Sequence, residues 1–81
     1  MKMDILGFGA AKEIFQSDLA TLELPEGATL LDLRLLMEEK HPGLKRLGSY
    51  MIAVNKEYAR DDRMRISAGD EIAIIPPVSG G

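Results

Sequence analysis

The residues of this chain best suited to chemistry stand at its C-terminal end, in the run Pro76-Pro77-Val78-Ser79-Gly80-Gly81. Glycine has no Cβ, so Gly80 and Gly81 can thread a channel too narrow for other residues. Six extended residues span roughly 20 Å, enough for the terminal carboxylate of Gly81 to enter a pocket on another molecule. A carboxylate is a poor electrophile. Joining anything to Gly81 therefore requires prior conversion to an acyl-adenylate or a similar species with a good leaving group. That requirement implies ATP and a separate activating enzyme. A sulfur donor could then displace AMP and leave a thiocarboxylate, a stronger nucleophile than the carboxylate at neutral pH. The chain contains no cysteine, so disulfides, iron-sulfur clusters, thiolate zinc sites and a persulfide on the protein itself are all excluded. Any sulfur it carries must be held by another atom.

Two terminal glycines are a weak signal alone, since glycine usage near 7% yields them by chance in roughly 0.5% of chains. Their context adds weight. Pro76 and Pro77 remove two consecutive backbone donors and hold the chain extended, so a strand ending at Ile75 cannot continue past them. This divides the chain into a body, 1–75, and a flexible extended tail, 76–81, in which Pro76, Pro77, Val78, Ser79 and Gly80 thread and Gly81 reacts. Phe8, Ile75 and Val78, with Leu6, are expected on or near the sheet face opposite the main helix, as an apolar surface for a partner. Phe8 and Ile75 are also compatible with core positions. No nucleophile-base set, carboxylate pair or metal-ligating cluster stands out, so the chain is not expected to be catalytic alone. His41 has no nearby carboxylate or cysteine and reads as a solvent-facing residue at a helix end. Lys45, Arg46, Arg60, Arg63 and Arg65 read as solvated charge, and Leu31, Leu35, Met51 and Met64 as packing.

The elements that must position the tail are legible in the periodicity. Met1 to Phe8 alternates as a strand, with Met1, Met3 and Ile5 on one face. Gly7 and Gly9 interrupt it, and Ala10 to Phe15 allows one or two helical turns. Ala20, Leu22 and Leu24 mark a second strand, antiparallel to the first and stopped by Pro25-Glu26-Gly27. Thr29 with Asp32 resembles a capping box that opens a helix to about Lys40, with Leu30, Leu33, Met37 and Leu36 on its packing face. His41-Pro42-Gly43 ends the helix, and Leu44 to Ser49 reads as a loop. Tyr50 to Asn55 is a third strand with Ile52 and Val54 inward, turning at Asn55-Lys56-Glu57 to a short segment near Tyr58. Glu71 to Ile75 is a final strand, apolar on both faces as a central strand or one covered by a partner would be, and is expected centrally beside the first as its parallel neighbour.

At 81 residues the chain is one small domain, too small to house a deep active site unaided. Its net charge of −3 argues against nucleic acid, which needs a clustered excess of Lys and Arg. The charged and apolar residues of Met1 to Leu6 lack the uninterrupted stretch of a signal peptide or membrane span, so a cytoplasmic location is expected. The element order suits an α+β module of ubiquitin-like β-grasp type, a mixed sheet of four to five strands on one main helix.

Over its whole length the sequence resembles the small, sulfur-carrier subunits of molybdopterin synthases, the MoaD-type family of ubiquitin-like β-grasp proteins. The resemblance is carried by Phe8-Gly9-x-x-Lys12-Glu13, Leu24-Pro25-Glu26-Gly27-Ala28-Thr29, Ala53-Val54-Asn55, Gly69-Asp70-Glu71-Ile72-Ala73 and, most specifically, Pro76-Pro77-Val78-Ser79-Gly80-Gly81. It implies that an E1-like activating enzyme uses ATP to adenylate Gly81 and that a sulfur donor system installs the thiocarboxylate. It further implies a heterotetramer in which the large subunit receives the tail and passes the sulfur to a cyclic pterin precursor for molybdenum cofactor. No permanently bound cofactor is implied. Lys12 stands where arginine is common, Ile74-Ile75 where an aromatic pair is frequent, and Ser79 where threonine is usual. A thiazole-pathway sulfur carrier would share the fold and the Gly-Gly end, though Pro-Pro-Val and the longer chain favour the pterin pathway. A ubiquitin-like protein modifier or a pure interaction module is the alternative of a different class.

Overall fold

The computed structural model describes residues 1–77. Strand β1 (Lys2–Gly7) turns Met3, Ile5 and Gly7 inward and leaves Lys2 and Asp4 in solvent. A short helix, α1 (Ala10–Phe15), leads through a left-handed Gln16 to β2 (Leu19–Glu23), which pairs antiparallel to β1 with Ala20 opposite Ile5 and Leu22 opposite Met3. The Gly7 side of this corner is tight, since a Cβ there would lie 2.6 Å from the Phe15 ring.

Helix α2 (Leu30–Lys40) begins where local chemistry predicts. The Thr29 hydroxyl accepts the Asp32 N–H at 3.2 Å, and the Asp32 carboxylate accepts the Thr29 N–H at 3.0 Å. Two further N–H groups at the helix start, those of Leu30 and Leu31, donate to the carbonyls of Met64 and Asp62 at 2.8 and 3.1 Å. The segment before the last strand thus completes the cap that the capping box begins. Leu30, Leu33 and Met37 are fully buried against the sheet, with Leu36 partly buried beside them.

Three expectations are corrected on the far side of α2. Leu44 to Ser49 is not simply loop: Pro42–Leu47 forms a 3-10 helix, and its Leu44 is fully buried in the core. Proline at the first position suits such a start, and one buried leucine suffices to anchor a piece this short. Leu31 and Leu35 do not pack inside but are exposed, because α2 has apolar residues on more sides than the sheet can cover. The third correction concerns His41 and is taken up with the site below.

The remaining strands are β3 (Met51–Val54), β4 (Glu57–Ala59) and β5 (Ile72–Ile75). The sheet order is β2-β1-β5-β3-β4, with β5 parallel to β1 and antiparallel to β3. Ile72 and Ile74 of this central strand are fully buried in the core. The expected mixed sheet gripping one main helix is the architecture found, with five strands.

Candidate functional site

The sheet face turned away from α2 is built in cross-strand rows. Leu6 pairs with Ala73, Ala73 with Ala53, and Ala53 with Tyr58, so these four side chains form one transverse line over β1, β5, β3 and β4. Two alanines between two large residues leave a depression. Phe8 and Ile75 wall it at one end, Lys56 and Glu71 at the other, and the hollow measures about 390 Å³. Ala53 is only 6% exposed although it faces outward, because its larger neighbours stand over it. Phe8 is 51% exposed and Tyr58 is likewise largely exposed, an uncovered aromatic pair beside an apolar floor.

The chain leaves the sheet at the Phe8 end. β5 runs parallel to β1, with Gly7 paired to Ile74 and the Phe8 N–H donating to the Ile74 carbonyl at 3.3 Å. Pro76 follows directly, half-buried, and Pro77 is exposed. Gly9 provides the seat. Its backbone has φ 53° and ψ −125°, a region that residues with a side chain avoid, and a Cβ there would lie 3.1 Å from the Pro76 ring. Close approach and backbone conformation both require glycine at this position.

The expected interface residues Phe8 and Ile75 are therefore brought together with Pro76 at one end of one hollow. Val78, Ser79, Gly80 and Gly81 lie outside the described residues. In the sequence Ala53, Ala73, Tyr58, Lys56 and Glu71 have places in motifs and elements but no interface role. The available signal was alternation: Ala73 falls on the Ile75 face of β5, and Ala53 is out of phase with Ile52 and Val54.

On the opposite side of the molecule the titratable groups serve packing. The His41 ring packs on Phe15, with centroids 4.8 Å apart, and its Nε2 is buried without a hydrogen-bond partner among the described residues. His41 is thus not solvent-facing. His41 stands between α2 and the 3-10 helix that Pro42 opens, and its ring meets Phe15 of α1. Burial, and then the nearby Lys40 charge, lower its pKa from the ordinary histidine value. The Tyr50 hydroxyl donates to Glu38 at 2.6 Å, and burial first, then that carboxylate, raise its pKa.

The His41 shift has a direction that can be measured. The unfolded histidine binds a proton below about pH 6.5, whereas the folded one refuses it until a lower pH. Stability is therefore intact above that value and is lost as pH falls from there towards the folded pKa. The thermal midpoint of the native chain should drop more steeply between about pH 7.5 and about pH 5.5 than that of His41→Leu. Equal slopes would rule this out.

Among the described residues no group of three or more His, Cys, Asp or Glu could hold a metal ion, and no helix is long and apolar enough to cross a membrane. What the geometry offers is an apolar hollow beside the exit of a proline-led tail. Comparison with known proteins bears on the fold and the family. The model of the ThiS family matches residues 5–81. The molybdopterin synthase sulfur carrier subunit of Chlamydomonas reinhardtii is 37% identical over 83 residues, covering 100% of both chains. Among solved structures, SAMP1 from Haloferax volcanii superposes with a TM-score of 0.83 at 29% identity, over 100% of both chains. A chain from the complex of subunits 1 and 2 of the molybdopterin-converting factor of Helicobacter pylori gives 0.71 at 26% identity, again over 100% of both. With a family match over all but the first four residues and an end-to-end alignment to a sulfur carrier subunit, this chain belongs to the ThiS family.

Proposed function

We propose that this chain is the sulfur-carrying subunit of a molybdopterin synthase and that the carried atom rides on Gly81. Residues 1–75 act as the docking body and 76–81 as the delivery tail. The Gly81 carboxylate attacks the α-phosphate of ATP on an E1-like activating enzyme, expelling pyrophosphate and forming an acyl-adenylate. A sulfide equivalent from a donor system then attacks the acyl carbon and AMP leaves, so that a thiocarboxylate remains. The large subunit next binds the open sheet face within a heterotetramer and receives the tail, where the sulfur passes to a cyclic pterin precursor. Catalytic groups belong to those partners, and no resident cofactor is needed on this chain. A cytoplasmic location is compatible with this dependence on ATP.

The observation that carries this reading is the exit of Pro76 against Gly9, beside Phe8 and Ile75 at the rim of the hollow. A protein seated on that hollow lies within the roughly 20 Å reach of six extended residues. Docking and delivery then use one face. The end-to-end match to a named sulfur carrier subunit supports the same assignment.

The test is an intact mass after incubation with ATP, the activating enzyme and a sulfur donor. The chain should gain the difference between one sulfur and one oxygen, located at the C-terminus. No gain with a demonstrably active enzyme would sink the proposal. A second reading is favoured by the likeness to the small archaeal modifier protein 1 of Haloferax volcanii, which superposes with a TM-score of 0.81. In that case Gly81 would end as an amide on a lysine of another protein, and the same incubation with cell extract would yield conjugates of higher mass.

A further inference from the structure

Lys56 occupies a backbone conformation that its side chain disfavours. The two-residue turn joining β3 to β4 places Asn55 at φ 54° and Lys56 at φ 72°, between the paired residues Val54 and Glu57. A hairpin turn of this kind prefers Asn followed by Gly, because most side chains at the second position crowd the backbone, those of Asn and Asp least. Asn55 meets the preference and is clamped. Its N–H donates to the Glu71 carbonyl at 2.8 Å, its side-chain amide donates to Asp70 at 3.0 Å, and its side-chain oxygen accepts the Glu71 N–H at 2.9 Å. These bonds hold the turn whatever follows Asn55, so Lys56 is carried in a conformation it would not choose.

The side chain so presented lines the hollow. Of the residues around it, Lys56 is the one cation and Glu71 the one anion. Lys56 is exposed and makes no salt bridge among the described residues. Both charges lie at the end where β5 begins, and Phe8, Ile75 and Pro76 lie where it ends. A charge at the rim of an apolar hollow is the arrangement of a protein interface, in which rim charges steer encounter and orientation.

We infer that Lys56 is a specificity contact, whose ammonium pairs with an acidic side chain of the protein seated on the open face, at some loss of stability in the free chain. The inference rests on the reading of that face as the partner surface. An acid opposite Lys56 and a base opposite Glu71 would fix the orientation that brings the tail end of the hollow to the partner's active site. Because Lys56 is at the far end from Pro76, it acts on docking and not on the chemistry at Gly81.

The test compares Lys56→Asn, Lys56→Glu and Lys56→Arg in the full chain, with Phe8→Ala as control, by measuring association with purified molybdopterin synthase large subunit over a range of salt. Asparagine suits the left-handed turn and lacks the charge, so the thermal midpoint of the free chain should rise by about 4 °C. Its association should slow about 3-fold, and that of Lys56→Glu about 10-fold, at low salt, with the differences vanishing at high salt. Lys56→Arg should associate as the native chain does. If the Asn and Glu variants associate at the native rate and Phe8→Ala still weakens binding, the role of Lys56 is overturned and the open face stands. If Phe8→Ala also binds as native, the open-face reading itself falls. A Lys56→Asn chain with no rise in midpoint overturns the loss of stability at the turn.

Discussion

Deletion of Gly81 is expected to abolish sulfur transfer while leaving the thermal midpoint unchanged. The shortened chain still ends in a glycine carboxylate, that of Gly80, so the chemical group survives and only its position changes. One residue withdraws it by about 3.3 Å. Reaction requires the acyl carbon within near-attack distance of its partner, and a misplacement of even about 1 Å can cost 100-fold in rate. The core is complete within the described body, in Met3, Ile5, Leu22, Leu30, Leu33, Met37, Ile72, Ile74 and their neighbours, and none of these is altered. Docking should survive too, since Phe8, Tyr58 and Ile75 remain. Thiocarboxylate formation by intact mass, transfer to the pterin precursor and affinity for the large subunit can each be measured on one preparation. Retained transfer would refute the delivery role of Gly81. Transfer lost together with affinity would place Gly81 in docking instead.

The complementary expectation concerns the body of the protein. Phe8→Ala should weaken binding of the large subunit by about 30-fold or more, the effect of losing an aromatic anchor of roughly 2 kcal/mol or above. The midpoint of the free chain should hardly move. Contrast Phe15, only 9% exposed and packed beneath the Gly7 corner, where the same truncation would open a core cavity. Phe8 is half in solvent already, so its removal exposes little that was covered. Titration calorimetry with the large subunit and a thermal melt of the free chain separate the two cases. A large fall in midpoint for Phe8→Ala would return Phe8 to the core, and unchanged affinity would remove it from the interface. Together the two variants divide the function, with docking lost in one and delivery in the other.

How much of this was legible beforehand follows from how far apart the interacting residues lie. Thr29 and Asp32 are three residues apart, so a capping box could be read directly and is found intact. The Pro25-Glu26-Gly27 stop, the alternation in β1 and β5, and the end of α2 at His41-Pro42 are likewise local matters of propensity and period. The central place of β5 was also legible, because an apolar run of this kind suits a strand flanked on both edges, although its outer face, with Ala73 and Ile75, lines the open hollow. The 3-10 helix at Pro42–Leu47 was not, since such turns have weak propensity and this one is stabilised by burying Leu44 in a core assembled from distant elements. His41 appeared solvent-facing for the same reason: its neighbour Phe15 is twenty-six positions away in the chain.

The candidate site divides along the same line. The tail, its proline lead and the absence of cysteine are properties of composition and order, and from them alone came the expectation that Gly81 is the reacting group and that an activating partner is required. The hollow is different. It exists because Leu6, Ala73, Ala53 and Tyr58 fall in one row, and that row depends on the register of four strands drawn from both ends of the chain. Register is set by which residues the core accepts from each strand, a shift of one residue turning every side chain to the other face. Period and spacing reveal which residues share a face within a strand. Which strands stand side by side, and hence that Phe8, Pro76 and Ile75 meet at one end and Lys56 and Glu71 at the other, is settled by long-range packing.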